Sequence, residues 1–314
     1  MEYSNERQYN IIGYRKLWFF ISGTLIAISV AVVALWGLKL GIDFTGGSLV
    51  EIEFKDNRPV VKDVESAVPE QLGKANIAPL GDRGMALRLR SLSEDEHQQL
   101  LASLKEKLGK DKDDDYLNES RFTSIGPTIG AELQQKAVWA IAIVLLAIIL
   151  YIAWAFRKVS RPVPSWQYGV AAVMALFHDV FIPVGIFAAL GHFMGVEIDT
   201  LFITALLTVL GFSVHDTIVV FDRIRENLLK PAEQFAIVVN KSVNETLARS
   251  INTSLATLLV LITTLIFGGE TIRYFVLTLI LGIIFGTYSS IFIASPLLVS
   301  ANRWTQKRRE AKER

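Results

Sequence analysis

The sequence predicts an α-helical membrane protein with a bundle of six transmembrane helices and one small α+β domain outside the membrane. Three observations favour this class: a mean hydropathy of +0.38, a charged fraction of only 20% and an uneven distribution of charge. Soluble domains usually carry about 25% charged residues. Since the 314 residues include no cysteine, disulfide scaffolds and cysteine-ligated metal sites are excluded.

The charges are segregated along the chain. Residues 41–133 hold 18 acidic and 12 basic residues, whereas the rest of the chain holds 13 acidic and 20 basic residues. A chain that is acidic in one block and basic beside its apolar runs is typical of membrane proteins. An ordinary soluble enzyme is therefore disfavoured.

The predicted spans follow from the thickness of a bilayer, because a hydrocarbon core of about 30 Å needs about 20 apolar helical residues. The apolar stretch 251–299 is too long for one span, and Gly268, Gly269 and Glu270 divide it in two. The six predicted spans are 17–40, 136–156, 168–190, 198–221, 249–267 and 273–300.

Lysine and arginine positions predict the orientation of these spans. Basic residues lie in four segments, and the two remaining short loops, 191–197 and 268–272, carry none. Because basic loops stay in the cytoplasm, both termini are predicted to be cytoplasmic and residues 41–135 extracytoplasmic. The first span is too long for the apolar region of a signal peptide and is interpreted as an uncleaved anchor. The four basic segments are 1–16, 157–167, 222–248 and 301–314.

The pattern between the first two spans predicts a ferredoxin-like sandwich with the order β-α-β-β-α-β. Ser93 and Glu96 form the signature of a capping box at the start of the second helix. His97, in that charged helix, is predicted to be solvated, and the domain contains no arrangement that resembles an active site. A binding or lever role is favoured, and no enzymatic activity is expected. The predicted elements are strand 48–54, helix 60–72, strands 76–80 and 85–90, helix 93–108 and strand 118–125.

Four ionisable residues lie where the bilayer should exclude them. His178 and Asp179 fall near the middle of the third span, and His215 and Asp216 fall in the inner part of the fourth. An aspartate costs about 2.5–3.5 kcal/mol at a span's centre on insertion scales, and ionisable residues inside spans usually face the bundle interior and carry function. The two histidines are interpreted either as proton relays or as residues that fill space at helix contacts.

The fifth span adds a polar face, since Arg249, Asn252, Thr253 and Thr257 follow the i+3 and i+4 spacing of one helix face. Asp216 is the predicted partner of Arg249, and protonation of the aspartate would release the arginine and so couple a proton to helix rearrangement. The alternative is a fixed ion pair that only holds two helices together. Asp179 can equally serve in coupling or in permanent hydrogen bonds.

Ion-gradient energy is favoured over nucleotide hydrolysis. The glycine pairs at 46–47 and 268–269 lack the Lys-Ser/Thr of a phosphate-binding loop. No cofactor, metal ion or nucleic acid is expected to bind.

Four sequence motifs, in order, resemble the SecF family of protein translocase subunits, which belongs with SecD in the RND superfamily. Together with the six spans they cover almost the whole chain. The motifs are GIDFTGG at 41–47, SIGPTIG at 124–130, HDTIVVFDRIREN at 215–227 and RSINTS at 249–254.

This resemblance implies an RND-like bundle in the bacterial cytoplasmic (inner) membrane. It implies a partner, SecD, beside the SecYEG channel, and use of the proton gradient to pull unfolded secreted polypeptides outward after SecA has pushed them. Asp216 and Arg249 are the residues that the family links to proton passage, with a further carboxylate from SecD. The segment Asp43, Phe44, Thr45, Gly46 and Gly47 resembles a hinge, with a plain turn as the alternative. Competing interpretations are an RND-type exporter of lipids or small molecules and a structural scaffold.

Overall fold

The computed structural model describes residues 8–109, 116–157, 163–229 and 234–313. Predictions that involve Arg7, Lys158, Arg161, Lys230 and Arg314 fall outside these ranges. In chain order, the described elements are α1 (Arg15–Trp36), α2 (Ile42–Thr45), β1 (Gly47–Phe54), α3 (Val61–Ala67), a 3₁₀ turn (Glu70–Leu72), β2 (Asn76–Leu80), β3 (Gly84–Leu89), α4 (Glu94–Leu108), β4 (Leu117–Ile125), α5 (Pro127–Ala155), α6 (Ser165–Met194), α7 (Thr200–Leu228), α8 (Phe235–Phe267), α9 (Glu270–Ser289), a π-helical turn (Ser290–Ala294) and α10 (Ser295–Glu313).

Six helical stretches in the described part of the chain are long and apolar enough to cross a membrane, which confirms the predicted number. They are α1, α5, α6, α7, α8 and the continuous stretch from α9 through the π-helical turn into α10. The residues divide into two compact units. We call Leu38–Trp139 with Leu190–Leu201 the sheet domain, and Met1–Gly37, Ala140–Ala189 and Phe202–Arg314 the helical unit.

The sheet domain has the predicted βαββαβ order. Its four strands pair in the order β2-β3-β1-β4, and every pairing is antiparallel. In the central strand, Val50 lies opposite Leu87 of β3 and Phe122 of β4. Val50 and Leu87 are fully buried against Leu100 of α4, so the alternating apolar residues of β1 form the core, as the sequence predicts.

One predicted helix of the sheet domain is shorter than its apolar spacing suggests. The segment 60–72 forms α3 only as far as Ala67, and a separate 3₁₀ turn follows. Pro69 explains the break, because the residue before a proline is pushed out of the helical region, and Val68 is extended at ψ 131°. The capping box of α4 is present: Ser93 Oγ accepts from the Glu96 N–H, and Glu96 accepts from the Ser93 N–H.

The prediction for the environment of His97 is wrong. It is predicted to be solvated, but only 4% of it is exposed. Its ring stacks on Phe122 with a centroid separation of 3.7 Å, and its Nε2 lies 3.2 Å from Glu119 Oε1. The helical spacing of 93–108 does not reveal this, because Phe122 and Glu119 come from β4, more than 20 residues along the chain.

The helical unit buries its helices unequally. About half of the residues in the apolar segments of α6, α7 and the α9–α10 stretch are buried, compared with 11%, 6% and 11% for those of α1, α5 and α8. Tyr168, Phe156 and Phe221 form one aromatic cluster in the core. The exposed surfaces of α1, α5 and the C-terminal half of α8 carry large apolar side chains, including Phe20, Leu146 and Leu259, as lipid-facing surfaces do.

Two helices of this unit extend far beyond their predicted spans. Most of the predicted loop 222–248 is helical, because α7 continues to Leu228 and α8 begins at Phe235. The extensions are held together by polar contacts: Arg223 Nε lies 2.6 Å from Glu245 Oε2, and Asn227 donates to Ser242 Oγ at 2.9 Å.

Candidate functional site

Asp179 lies in the interior of the helical unit with its carboxyl group fully hydrogen-bonded. Ser213 Oγ of α7 and Ser289 Oγ of α9 donate to Asp179 Oδ2 at 2.5 and 2.7 Å. On its own helix, α6, His178 Nδ1 lies 2.9 Å from Asp179 Oδ1. Both residues are completely buried. The carboxyl group thus joins three helices, which is the arrangement expected of permanent hydrogen bonds.

Glycines let these helices approach closely enough for the serines to reach Asp179. A Cβ at Gly286 would lie 3.0 Å from Ser213 Cβ, and one at Gly282 would lie 2.1 Å from a methyl carbon of Val209. Both glycines belong to α9, whereas Ser213 and Val209 belong to α7. Small residues at such positions are characteristic of membrane helix contacts.

Asp216 lies three residues after Ser213 on α7 and has a different environment. Only 6% of the residue is exposed, yet its Oδ2 accepts no hydrogen bond from the described residues. His215 precedes Asp216 on α7, and Ser250 of α8 is a neighbour of its carboxyl group. The Ser250 hydroxyl is also buried without a hydrogen-bond partner in the described part of the chain. A buried, incompletely bonded carboxyl group is unusual and calls for a functional explanation.

Arg249 does not lie beside Asp216, so the predicted pairing is wrong for the isolated chain. Its side chain is exposed on α8 and forms no ion pair with the described residues. Asn252 and Thr253 are exposed on the same helix. These residues therefore form a polar face of α8, as their spacing predicts, but this face points away from the interior. Ser250 faces Asp216 instead, because neighbouring residues differ by about 100° around a helix.

A stripe of hydroxyl residues that the sequence analysis did not single out marks the buried face of α8. Its members recur at every fourth position, which places them on one helix face. Ser254 Oγ lies 2.5 Å from Thr287 Oγ1 of α9. The i+4 recurrence is the sequence signal that could have identified this face. The buried hydroxyl residues of α8 are Ser242, Thr246, Ser250 and Ser254.

The two candidate relay histidines are in opposite environments. His178 is buried between Phe285 and Tyr288, with ring centroids 6.0 and 5.7 Å away, and its Nε2 has no hydrogen-bond partner in the described structure. His215 is exposed on α7. The structure therefore does not connect the two histidines into a chain.

The predicted hinge segment, 43–47, belongs to the sheet domain and is closely packed. Asp43 Oδ2 accepts the backbone N–H and the hydroxyl of Thr200 at 2.8 and 2.6 Å, so Asp43 caps the first residue of α7. Gly46 has φ 75° and ψ 163°, a region that is almost exclusive to glycine. A Cβ there would lie 2.7 Å from Pro127 Cα. The two motifs at 41–47 and 124–130 are therefore in contact.

Glu197, in the short loop before α7, adds an ion-pair cluster to the sheet domain. Its carboxylate lies 2.6 Å from Arg88 Nε and 3.7 Å from Lys39 Nζ. Burial raises the pKa of Glu197, although the two cations oppose the shift. The neighbouring Ile198 pairs with Leu40 as an isolated parallel bridge. The loop is thus fixed to the strand β3 and to the chain just before α2.

No group of three or more histidine, cysteine, aspartate or glutamate side chains suitable for a metal ion occurs in the described part of the chain. The candidate site consists of the buried carboxyl groups, their hydroxyl neighbours and the exposed polar face of α8.

Comparisons of this chain with family models and with individual relatives identify the same family. A family model described as protein export membrane protein SecD/SecF, C-terminal, matches residues 104–304, and a model of the SecD/SecF GG motif matches residues 37–57. The protein translocase subunit SecF of Thermobaculum terrenum is 45% identical, covering 95% of this chain and 94% of the relative. SecF of Anaerolinea thermophila is 40% identical, covering 92% and 93%.

Solved structures agree with the sequence relatives. The crystal structure of SecDF, a translocon-associated membrane protein from Thermus thermophilus, superposes with a TM-score of 0.80 at 33% identity. The match covers 96% of this chain but only 40% of the SecDF chain. A second SecDF structure, in a super-membrane-facing form, gives a TM-score of 0.68. The chain therefore belongs to the SecF family of protein translocase subunits within the SecD/SecF family.

Proposed function

We propose that the chain acts with a separate SecD subunit beside the SecYEG channel and couples the proton motive force to late steps of polypeptide export. The SecF relatives cover the chain over nearly its full length, and the chain is a transport component rather than an enzyme. SecD association is supported by the SecDF chains, of which this chain spans only about 40%. The remaining part of such a chain is what SecD would supply.

The observation that carries the coupling role is the incompletely bonded carboxyl group of Asp216, buried in a transmembrane helix. When such a group gains or loses a proton, its charge changes by one unit in surroundings with little water to compensate. The side chains that interact favourably with the carboxyl group therefore differ between its two protonation states. One charge moving through 100 mV gains about 2.3 kcal/mol, which is enough to shift a two-state equilibrium strongly.

Asp179 has a different proposed role. Its carboxyl group already accepts from Ser213 and Ser289 and contacts His178, so we assign it to holding α6, α7 and α9 in register. The proton-coupling set is then Asp216, with Arg249 as the mobile or partner-facing charge. His215, exposed on the same helix as Asp216, is the better placed of the two relay candidates.

The exposed polar face of α8 is the proposed contact with SecD. Arg249, Asn252 and Thr253 would face lipid if the chain were alone in a bilayer, and polar or ionisable residues in membrane spans usually pair with groups of neighbouring helices. Helices of a partner subunit with complementary polar groups would supply such pairs. A carboxylate of SecD, implied by the family resemblance, is the natural counter-charge for Arg249.

The proposed orientation places both termini in the cytoplasm and the sheet domain outside, in the cytoplasmic membrane of a bacterium. The basic residues at the chain ends, including Arg15, Lys16, Lys307 and Arg308, support it through the positive-inside rule.

The decisive experiment measures secretion of a reporter protein in cells that carry Asp216→Asn or Arg249→Ala. Export is expected to fall to the level of cells without the chain, while membrane abundance and SecD co-purification stay normal. Glu270→Gln and Arg273→Ala are matched controls, because this exposed pair lies 3.2 Å apart at the start of α9, outside all four motifs. Export by the controls should equal that of the wild type.

Two other results would change the conclusion. Normal export in both variants would show that Asp216 and Arg249 only support the structure. Loss of SecD co-purification together with export in Asp216→Asn, whose side chain is buried within this chain, would favour the scaffold interpretation over proton coupling.

A further inference from the structure

A polar cavity of about 230 Å³ lies in the helical unit where the segment before α1 meets α8 and α10. Nothing in the proposed coupling mechanism uses it. Its polar lining comes from three parts of the chain: the N-terminal segment, the first turns of α8 and the middle of α10. The polar lining residues are Gln8, Asn10, Arg15, Asn240 and Arg303.

Two guanidinium groups share this cavity. Arg15 is half-buried and Arg303 is exposed, and both side chains line the cavity. Neither forms an ion pair with the described residues, and the described lining contains no acidic side chain. Two like charges at one cavity repel each other, and an anion bound between them interacts favourably with both.

The cavity wall is fixed before any ligand binds. Asn240 Oδ1 accepts the Ile12 N–H at 3.1 Å, and Asn240 Nδ2 donates to the Tyr9 carbonyl at 3.1 Å. Asn244 Oδ1 accepts the Tyr9 N–H at 2.7 Å. The side chains of Ile11 and Ile12 are buried below. The N-terminal segment is therefore attached to α8, and little ordering is needed on binding.

The level of the cavity along the helices indicates the source of the anion. Arg15 is the first residue of α1, and the apolar part of that helix follows immediately. On α10, Trp304 is exposed and Arg308 stacks over its ring at 3.6 Å. Tryptophan and basic residues at the ends of spans mark the headgroup level of a bilayer.

We propose that this cavity binds the phosphate group of an anionic phospholipid. Guanidinium groups recognise phosphate oxygens with paired hydrogen bonds, and the amides of Gln8 and Asn10 can donate to the remaining oxygens or to the headgroup. A free phosphate compound has the same recognition chemistry, so the test separates the two sources.

The test titrates phosphatidylglycerol into the purified full-length chain in detergent and counts bound lipid by native mass spectrometry. Arg15→Gln with Arg303→Gln is expected to weaken binding by about fivefold for each arginine. Lys16→Gln with Lys307→Gln is the matched control, because it removes the same charge from the same two helices at residues outside the cavity. The control should stay within twofold of the wild type.

Equal losses in the two double variants would overturn the proposal, because they would indicate diffuse attraction to a basic surface. Equal binding of phosphatidylcholine and phosphatidylglycerol would overturn it too. Protection of the wild type against thermal unfolding by inorganic phosphate, with no effect of phosphatidylglycerol, would replace the lipid by a free anion. If the glutamine variant does not fold, Arg15→Lys with Arg303→Lys should retain most of the lipid binding.

Discussion

At the scale of single residues, Gly46 occupies a backbone conformation that a side chain cannot share. Gly46→Ala is expected to destabilise the sheet domain by about 1–3 kcal/mol, because of its positive φ and the 2.7 Å approach to Pro127. Gly126→Ala is the control, since a Cβ at Gly126 meets no atom within 4 Å. Thermal unfolding of the purified chain measures both variants. Equal midpoints for the two would contradict the expectation.

His97 is a second residue whose removal is expected to lower the stability of the sheet domain. His97→Ala is expected to cost about 1–3 kcal/mol, because it deletes the stacking on Phe122 and leaves Glu119 without its contact. Hydrogen exchange of β4 in the intact chain should show the loss as faster exchange. The control is Gln98→Ala, an exposed neighbour on α4, which should leave β4 unchanged.

Glu96 makes the stability of α4 depend on pH. Hydrogen bonds from Arg90 and from the Ser93 backbone N–H lower the pKa of Glu96 to about 2, compared with about 4.3 in an unfolded chain. Because the pKa of Glu96 is lower in the folded than in the unfolded chain, the ionised side chain stabilises α4. This stabilisation is complete above about pH 4.3 and is lost as the pH falls towards 2.

The measurement for Glu96 is hydrogen exchange of α4 between pH 6 and 3, corrected for the intrinsic rate. Glu96→Gln should reduce the pH dependence, whereas Glu106→Gln, an exposed carboxylate on the same helix, should not. An unchanged pH profile in Glu96→Gln would refute this account.

Sequence position marks Asp216 and Arg249 as unusual but does not predict their surroundings in the fold. Their positions inside apolar runs identify both as residues that need an explanation, and the structure buries one and exposes the other. Spacing predicts which residues share a helix face, but the direction of that face depends on packing against other helices. The hydrogen bond that the Ser289 hydroxyl donates to Asp179 could not be predicted, because the two residues are 110 positions apart in the sequence.

At the scale of elements, the start of α7 depends on a cap that comes from elsewhere in the chain. Asp43→Ala is expected to destabilise this helix end by about 0.5–2 kcal/mol, since the Thr200 N–H loses its acceptor. Asp43→Asn retains a side-chain oxygen and should lose much less. Hydrogen exchange at residues 198–206 distinguishes the two, and equal exchange in both variants would exclude capping as the role of Asp43.

Elements were predicted best where local chemistry decides their ends. The capping box of α4 and the strands β2 and β3 lie where the sequence places them. Pro69 ended α3 early, although apolar spacing continues to Leu72. The extensions of α7 and α8 were missed because polar residues such as Arg223 and Asn227 resemble a loop in composition, whereas their partners on the neighbouring helix stabilise them as helix.

At the scale of the whole molecule, the absence of cysteine from the sequence makes the proposed SecD surface directly testable. Asn252→Cys, carrying a benzophenone label, is expected to crosslink to SecD in membranes. Ser254→Cys is the control, because that position is buried against Thr287. Crosslinks to lipid alone from position 252 would contradict the proposed interface.

The contacts of the loop before α7 carry a consequence for membrane insertion. Glu197 pairs with Arg88, and Ile198 pairs with Leu40, so this loop and the sheet domain must emerge on the same side of the bilayer. Between them the chain crosses twice, through α5 and α6. If α5 and α6 were inserted incompletely, Arg88 would lack its ion-pair partner and Leu40 would lack its backbone pairing partner. The sheet domain can therefore complete its contacts only after α5 and α6 have been inserted correctly.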